Sequence, residues 1–349
     1  MRNTTTRARR TAADTAPSLL SLLTEKIVGQ TPALEAIVPY VQMYQAGLSP
    51  EGRPVGVFLL LGPTGTGKTR TVEALAEAIH GTEKHVLRID CGEFQMEHEV
   101  AKLIGAPPGY LGHRETTPML NQQKLNAVTS ERSNLSIVLF DEIEKAAPSM
   151  QRLLLGVLDK AVLRLGDNTN VNFERSLIFM TSNLGARGMS REMRPDFGFQ
   201  AITGPTRKNV QRKLESIAVA AVRKKFSPEF VNRVDVISTY YPLSEDALSQ
   251  ILEHQIDNLR RHIANRMGMR GFAFELTDAS KDFLLKKGTS PEYGARELKR
   301  AVLRHLIQPL ASLVARGRLE PGACLLIDHK AGNDHLSFYA LPEEESLAA

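Results

Sequence analysis

The sequence predicts an α/β fold, a doubly wound parallel five-stranded sheet with helices on both faces, followed by a smaller, mostly helical domain. Two patterns carry this. Between Val55 and Tyr241 five short apolar runs alternate with helical stretches: Val55 to Leu61, His85 to Asp90, Ser136 to Asp141, Ser176 to Thr181 and Asp235 to Tyr240. Such alternation implies a parallel sheet whose strands are buried on both faces. After Tyr241 the period changes, and Leu243, Leu248, Ile251, Leu252, Ile256 and Leu259 recur at helical spacing.

Residues 1–18 read as a solvated basic tail, in which Arg2, Arg7, Arg9 and Arg10 face only Asp14. Residues 19–241 are expected to form the large domain. Within it, Val72, Leu75, Ala76 and Ile79 mark a helix that stops at Gly81. Residues 242–340 form the small domain, with further helices around Lys281 to Lys287 and Arg296 to Ala315. Two alternating stretches, Phe272 to Leu276 and Cys324 to Asp328, could add strands to it. Residues 341–349 read as a frayed acidic tail.

At 349 residues, 42% hydrophobic and 24% charged, the chain has ordinary globular composition and room for two cores. No run of about eighteen apolar residues is present, so no membrane-spanning helix is expected. The first thirty residues lack the apolar stretch and cleavage site of a signal peptide. Two cysteines, Cys91 and Cys324, exclude a disulfide framework and a four-cysteine zinc module. A cytoplasmic protein with packing cysteines is the expectation. The net charge of +5, from 44 basic and 39 acidic residues, is modest. The basic arm could touch nucleic acid or an acidic partner, or be a plain disordered leader.

The residues Gly62, Pro63, Thr64, Gly65, Thr66, Gly67, Lys68 and Thr69 directly follow the first apolar run. They read as a phosphate-binding loop for ATP: glycines let backbone N–H groups turn inward, Lys68 meets the β- and γ-phosphates, and the Thr69 hydroxyl suits Mg²⁺. A Gly-rich turn is the competing reading. The run ending at Asp141 and Glu142 is its expected partner, with Asp141 holding Mg²⁺ through water and Glu142 taking a proton from the attacking water. Asn183, just past the strand Leu177 to Met180, could orient that water, although Asn is also a turn former. Arg233 and Arg296 lie near the starts of later elements, and each alone also suits a surface ion pair.

Seven ordered motifs together resemble the Clp family of AAA+ protein unfoldases: Ile27 to Gln30, Gly62 to Thr69, Leu103 to Tyr110, Asp141 to Lys145, Thr181 to Asn183, Pro228 to Arg233, and Tyr293 to Arg296. The resemblance covers about residues 20–330 and is to the second ATPase module of ClpA, ClpB and ClpC. It implies ATP hydrolysis in a homo-oligomeric ring, usually a hexamer, with ATP between neighbouring subunits. It implies that Ile27 and Val28 line the adenine pocket, that Asn183 and Arg296 sense nucleotide, and that Arg233 reaches the neighbour's ATP as an arginine finger. The region after Tyr241 would be the lid domain.

Tyr110 and Leu111 fall in a Gly- and Pro-rich segment that presents an aromatic residue. In the family this loop lines the pore and grips unfolded or tagged protein, and a nucleic-acid motor would be expected to place Lys or Arg there. A turn whose Tyr packs inward is the plainer alternative. Phe197, Gly198 and Phe199 lie near where some relatives dock a ClpP-like peptidase, with Phe in place of the usual aliphatic residue. The family's Gly-rich turn before the fourth strand is replaced by Leu163 to Asn170. A nucleic-acid-directed motor or loader and a nucleotide-switched scaffold stand as the rival functions.

Overall fold

The computed structural model describes residues 18–105, 118–192, 207–268, 271–289, 294–317, 319 and 322–341. The large domain carries helices α1 (Leu19–Lys26), α2 (Thr31–Gln45), α3 (Lys68–His80), α4 (Val100–Ile104), α5 (Gln122–Ala127), α6 (Pro148–Lys160), α7 (Ala186–Glu192), α8 (Arg207–Lys225) and α9 (Pro228–Val231). Its strands are β1 (Gly56–Leu61), β2 (Leu87–Asp90), β3 (Ser136–Asp141), β4 (Val162–Arg164), β5 (Asn170–Asn172), β6 (Ser176–Ser182) and β7 (Val236–Thr239). Five of them form one sheet in the order β2-β3-β6-β1-β7, every pair parallel. The five runs read from the sequence are these five strands.

Strand alternation divides the core into two layers. Val57, Leu59 and Leu61 of β1, Val138 and Phe140 of β3, and Ile178 and Met180 of β6 pack on one face beneath α6 and α8. Phe58, Leu60, Ile137, Leu139, Leu177 and Phe179 pack on the other with α1, α2 and α3. Phe58 stacks on Phe179 at 4.8 Å between ring centroids and meets Tyr40 of α2 edge-on at 5.0 Å. Burial on both faces is why these strands are continuous apolar runs rather than alternating ones.

The chain leaves β1 for the far edge strand β2, and β6 and β7 flank β1, so the strand order reverses beside β1. Open α/β sheets bind ligands at the carboxyl ends of strands at such a point. It is there that β1, β3 and β6 end in Gly62, Glu142 and Asn183.

The small domain packs α10 (Glu245–Met267), α11 (Asp278–Gly288), α12 (Ala295–Val302) and α13 (Gln308–Ala315) against β8 (Ala273–Leu276), β9 (Cys324–Asp328) and β10 (Ser337–Leu341). Leu252, Ile256, Leu284, Leu298, Leu306 and Ile327 lie in its core. Between α12 and α13 the helical run opens into π geometry at Leu303–Ile307. A Cβ on Gly288 would lie 2.7 Å from the Leu298 Cα, so glycine allows α11 and α12 to touch.

Leu163 to Asn170, which stands in place of the family's Gly-rich turn, lies within a β4–β5 hairpin, whose strands are three residues each and bury only their central residues, Leu163 and Val171. Asn168 takes the left-handed turn position at φ +69°, a place that asparagine tolerates and glycine usually fills. Ser18, assigned to the N-terminal tail, caps α1 by accepting from the Ser21 amide at 3.1 Å. Leu341, assigned to the C-terminal tail, is the last residue of β10, antiparallel to β9. Among the described residues no helix is long and apolar enough to cross a membrane.

Candidate active site

The loop after β1 is built on glycine. At Gly62 (φ +138°) a Cβ would lie 2.3 Å from the Tyr240 carbonyl oxygen, while Gly65 (φ +77°) and Gly67 (φ +104°) hold backbone conformations that L side chains rarely adopt. Gly67 precedes Lys68, the first residue of α3, so the free N–H groups of that helix open onto the curl. Lys68 is only 8% exposed. Its ammonium donates to the Gly62 and Pro63 carbonyls at 2.6 and 2.8 Å and to Asn183 Oδ1 at 3.0 Å. Thr69 is half-buried on the next position of α3.

The carboxylates come from β3, and β6 links them to the loop. Asp141 accepts from the Thr181 hydroxyl on one oxygen and pairs with Arg88 of β2 on the other, so both neighbouring strands hold it. Glu142 is left-handed at φ +57°. For a non-glycine residue this costs roughly 1–2 kcal/mol, and three contacts fix it. Its amide donates to Thr181 Oγ1 at 3.0 Å, its Oε1 accepts from Asn183 Nδ2 at 3.2 Å, and its Oε2 meets Lys145 Nζ at 2.5 Å. Asn183 therefore touches Lys68 with its oxygen and Glu142 with its nitrogen. Its own amide donates to Glu144 Oε1 at 3.0 Å.

The small domain closes over the same loop. Ala295 N donates to the Gly65 carbonyl at 3.1 Å, and a Cβ on Gly294 would lie 2.9 Å from that same oxygen. The exposed Arg296 follows directly. Burial pushes the Lys68 ammonium down to about 8; Glu144 and Asp141 oppose that fall, and Arg296 adds to it. Burial also pushes the Cys91 thiol up, helped by Asp90, Asp141, Glu144 and Glu142, which leaves it an inert packing residue.

The remaining expected residues make other contacts or lie outside the described residues. Ile27 is buried in the core against α2, Val28 is half-buried, and Gly29 lies against Leu243 and Ala247 at the start of the small domain. Arg233 bonds the Glu229 carbonyl at 2.9 Å and pairs with Glu229 at 3.2 Å and Asp159 at 3.7 Å. Among the described residues it makes no bond to Lys68, Asp141, Glu142 or Asn183. Tyr110 and Leu111, and Phe197, Gly198 and Phe199, lie outside the described residues.

Sequence reasoning missed four contributors: Arg88 and Thr181 on Asp141, Glu144 on Asn183, and Gln30, whose side-chain amide donates to the Thr66 carbonyl of the loop. Thr181 and Gln30 stood inside motifs already singled out, and Gln30 carried a signal as a lone amide beside Ile27 and Val28. Arg88 had none, because its partner lies 53 residues away across the sheet. The donor set suits a hard cation: the Thr69 hydroxyl and the Asp141 carboxylate are oxygen donors of the kind that magnesium takes.

A Gly-built loop at a helix start, a buried lysine, two carboxylates on the next-but-one strand and a docked helical lid define a nucleoside-triphosphate-binding P-loop module. The chain belongs to the AAA family: residues 53–237, just over half of its length, match the profile described as "AAA domain (Cdc48 subfamily)", and residues 243–327 match the "C-terminal, D2-small domain, of ClpB protein". Among curated proteins it is 36% identical over 307 residues to the chaperone protein ClpB of Rhodopirellula baltica, covering 88% of this chain and 32% of that protein. It is 35% identical over 324 residues to the ATP-dependent Clp protease ATP-binding subunit ClpC of Staphylococcus saprophyticus, covering 93% of this chain and 38% of that one. The chain thus spans about a third of the length of these relatives.

Among solved structures it resembles Hsp104 in a closed-state cryo-EM reconstruction with ATPγS and FITC-casein, at TM-score 0.76 and 26% identity, covering 96% of this chain and 53% of that one. It also resembles the S. cerevisiae Hsp104:casein complex in its extended conformation, at TM-score 0.77 and 26% identity, covering 92% of this chain and 52% of that one.

Proposed function

We propose that this chain is an ATP-hydrolysing module of a ring-forming protein unfoldase, which couples phosphoryl transfer to water with the pulling of polypeptide through a central pore. The hydrogen-bonded line from Lys68 through Asn183 to Glu142 carries the reading, because it joins the phosphate-binding cation to the base on one amide. In it, Gly62, Pro63, Thr64, Gly65, Thr66 and Gly67 turn N–H groups toward the phosphates, and Lys68 offsets charge on the β- and γ-oxygens. Thr69, and Asp141 through water, would hold Mg²⁺, which would supply charge neutralisation for the phosphates. Glu142 accepts the proton of the attacking water, and Asn183 keeps both water and carboxylate in line. Phosphoryl transfer depends on positioning and charge more than on covalent chemistry, and this site supplies both.

Ile27 and Val28 border the adenine, and Arg296, carried by the lid, reads the nucleotide. Arg233 acts on the ATP of the next subunit in a hexameric ring, a role supported by its contacts on its own chain being to Glu229 and Asp159 rather than to the catalytic cluster. We place the domain boundary between Tyr241 and Pro242, where the core of the sheet gives way to that of the small domain. Tyr110 and Leu111 grip unfolded or tagged protein, and Phe197, Gly198 and Phe199 are the candidate dock for a ClpP-like peptidase, with a partly buried hydrophobic turn as the competing reading. A cytoplasmic location suits such work. The resemblance to Hsp104 structures determined with casein supports a polypeptide substrate.

The steady-state ATPase rate of the purified protein alone, with casein, and with single-stranded DNA tests this. Stimulation by casein that disappears in Tyr110→Ala is expected. Stimulation by DNA alone would favour a nucleic-acid motor.

A further inference from the structure

Gln30 is 1% exposed, and each polar atom of its side chain is engaged with backbone. Nε2 donates to the Thr66 carbonyl of the phosphate loop at 3.2 Å and to the Tyr241 carbonyl at 2.9 Å, and Oε1 accepts from the Tyr241 amide at 3.2 Å. The amide has two N–H donors and one acceptor oxygen, and all three functions are met by two backbone segments 175 residues apart. Tyr241 begins the linker into α10, and its own hydroxyl is fixed to Glu215 of α8 at 2.5 Å.

The neighbouring carbonyl of the loop is also committed to the small domain, because Gly65 O accepts from Ala295 N at the start of α12. Two consecutive loop carbonyls, at Gly65 and Thr66, thus point at the two elements that position the lid: α12 directly, and the linker through Gln30. On the other side Gly62 is pressed against the Tyr240 carbonyl, one residue before the linker. A loop that shifts as phosphates enter it must carry these contacts along or break them.

We propose that Gln30 is a positioning residue that couples the phosphate loop to the inter-domain linker, so that nucleotide binding at Lys68 is transmitted to the lid through one side-chain amide. This rests on the nucleotide-binding reading above. Gln30 touches no reacting atom; it acts through Thr66 and Tyr241. Its chemistry makes the role specific. A glutamate of the same shape cannot donate and would set a carboxylate against two carbonyl oxygens, and a methionine fills the space without any hydrogen bond.

The test is hydrogen–deuterium exchange of the full chain with and without ATPγS, in wild type, Gln30→Met and Gln30→Glu, with ATPγS affinity measured alongside. In wild type, ATPγS should slow exchange in the loop Gly62–Lys68 and also at Tyr241–Leu248 and Ala295–Val302. In both variants the loop should still respond, with affinity weakened by no more than about tenfold, the scale of one or two lost neutral hydrogen bonds. The response at the linker and α12 should fall at least threefold. A lid response equal to wild type in either folded variant overturns the proposal. Equal loss of response at loop and lid in both variants also overturns it, since that is what a merely structural residue would give. Failure of wild type to bind ATPγS would instead overturn the nucleotide reading beneath it.

Discussion

Asn183 holds Lys68 and Glu142 on the two ends of one amide, at 3.0 Å and 3.2 Å. This arrangement orients Glu142 from a strand that is not its own. Asn183→Ala is therefore expected to lower kcat by about two orders of magnitude, the usual scale for losing a positioned acid–base interaction. ATPγS affinity should change by less than about threefold, because Lys68 keeps its two carbonyl partners. A tenfold loss of affinity with unchanged kcat would place Asn183 in binding rather than in catalysis.

On the proposed mechanism Glu142→Gln keeps shape and removes the base. Turnover should fall at least about a hundredfold while ATP binding persists, and casein should remain bound to the ATP form. A scaffold switched by nucleotide would show no change in substrate release. The left-handed backbone at Glu142 does not depend on the carboxylate charge, since Thr181 still accepts its amide, so the melting temperature should stay within a few degrees.

The buried Lys68 gives the site a pH dependence with a definite sign. Its folded pKa of about 8 lies below the ordinary 10.5, so between these values the unfolded chain binds the proton more tightly. Its contribution to stability therefore rises with pH across that window. Nucleotide binding runs the other way, because phosphates favour the charged ammonium. Above pH 8, ATPγS binding should take up close to one proton per site, and Kd should rise by up to about tenfold per pH unit. Calorimetry at pH 7 to 9.5 in two buffers of different ionisation enthalpy reads both. A flat Kd over that range would contradict the assignment.

Arg88 pairs with one oxygen of Asp141 while Thr181 bonds the other. The guanidinium opposes a second cation near that carboxylate, but its side chain is half exposed and solvent screens it. Arg88→Ala should lower the Mg²⁺ concentration for half-maximal ATPγS binding by about threefold, with little change in binding at saturating Mg²⁺. An increased requirement would mean that Arg88 orients the carboxylate for the metal rather than competing with it.

What was legible in the sequence follows from where the determinants sit. The five sheet strands are doubly buried, so their apolar runs announce them, and the loop from Gly62 to Thr69 is contiguous. The line from Lys68 to Asn183 to Glu142 uses only residues already singled out, yet its connectivity required the strand order, which sets β6 between β1 and β3. The β4–β5 hairpin escaped because three-residue strands with one buried side chain each leave no period to read. The cross-sheet pair of Arg88 and Asp141 and the amide of Gln30 depend on partners 53 and 211 residues away, beyond any local pattern.

Arg233 is held on its own chain by Glu229 and Asp159, and its Nε is buried without a hydrogen-bond partner. A guanidinium so constrained presents a fixed end, which suits action on a neighbouring subunit at little reorganisation. Arg233→Ala should assemble as wild type does and lose nearly all turnover, since arginine fingers contribute about 10³- to 10⁵-fold. The trans arrangement makes a sharper demand. An Arg233→Ala subunit has an intact Glu142 and needs a neighbour's arginine, and a Glu142→Gln subunit has that arginine but no base. Mixing the two inactive proteins should restore turnover well above either alone, peaking near equal proportions. If Arg233 acted within its own chain, every subunit in the mixture would lack one essential group and the rate would stay at the sum of the two.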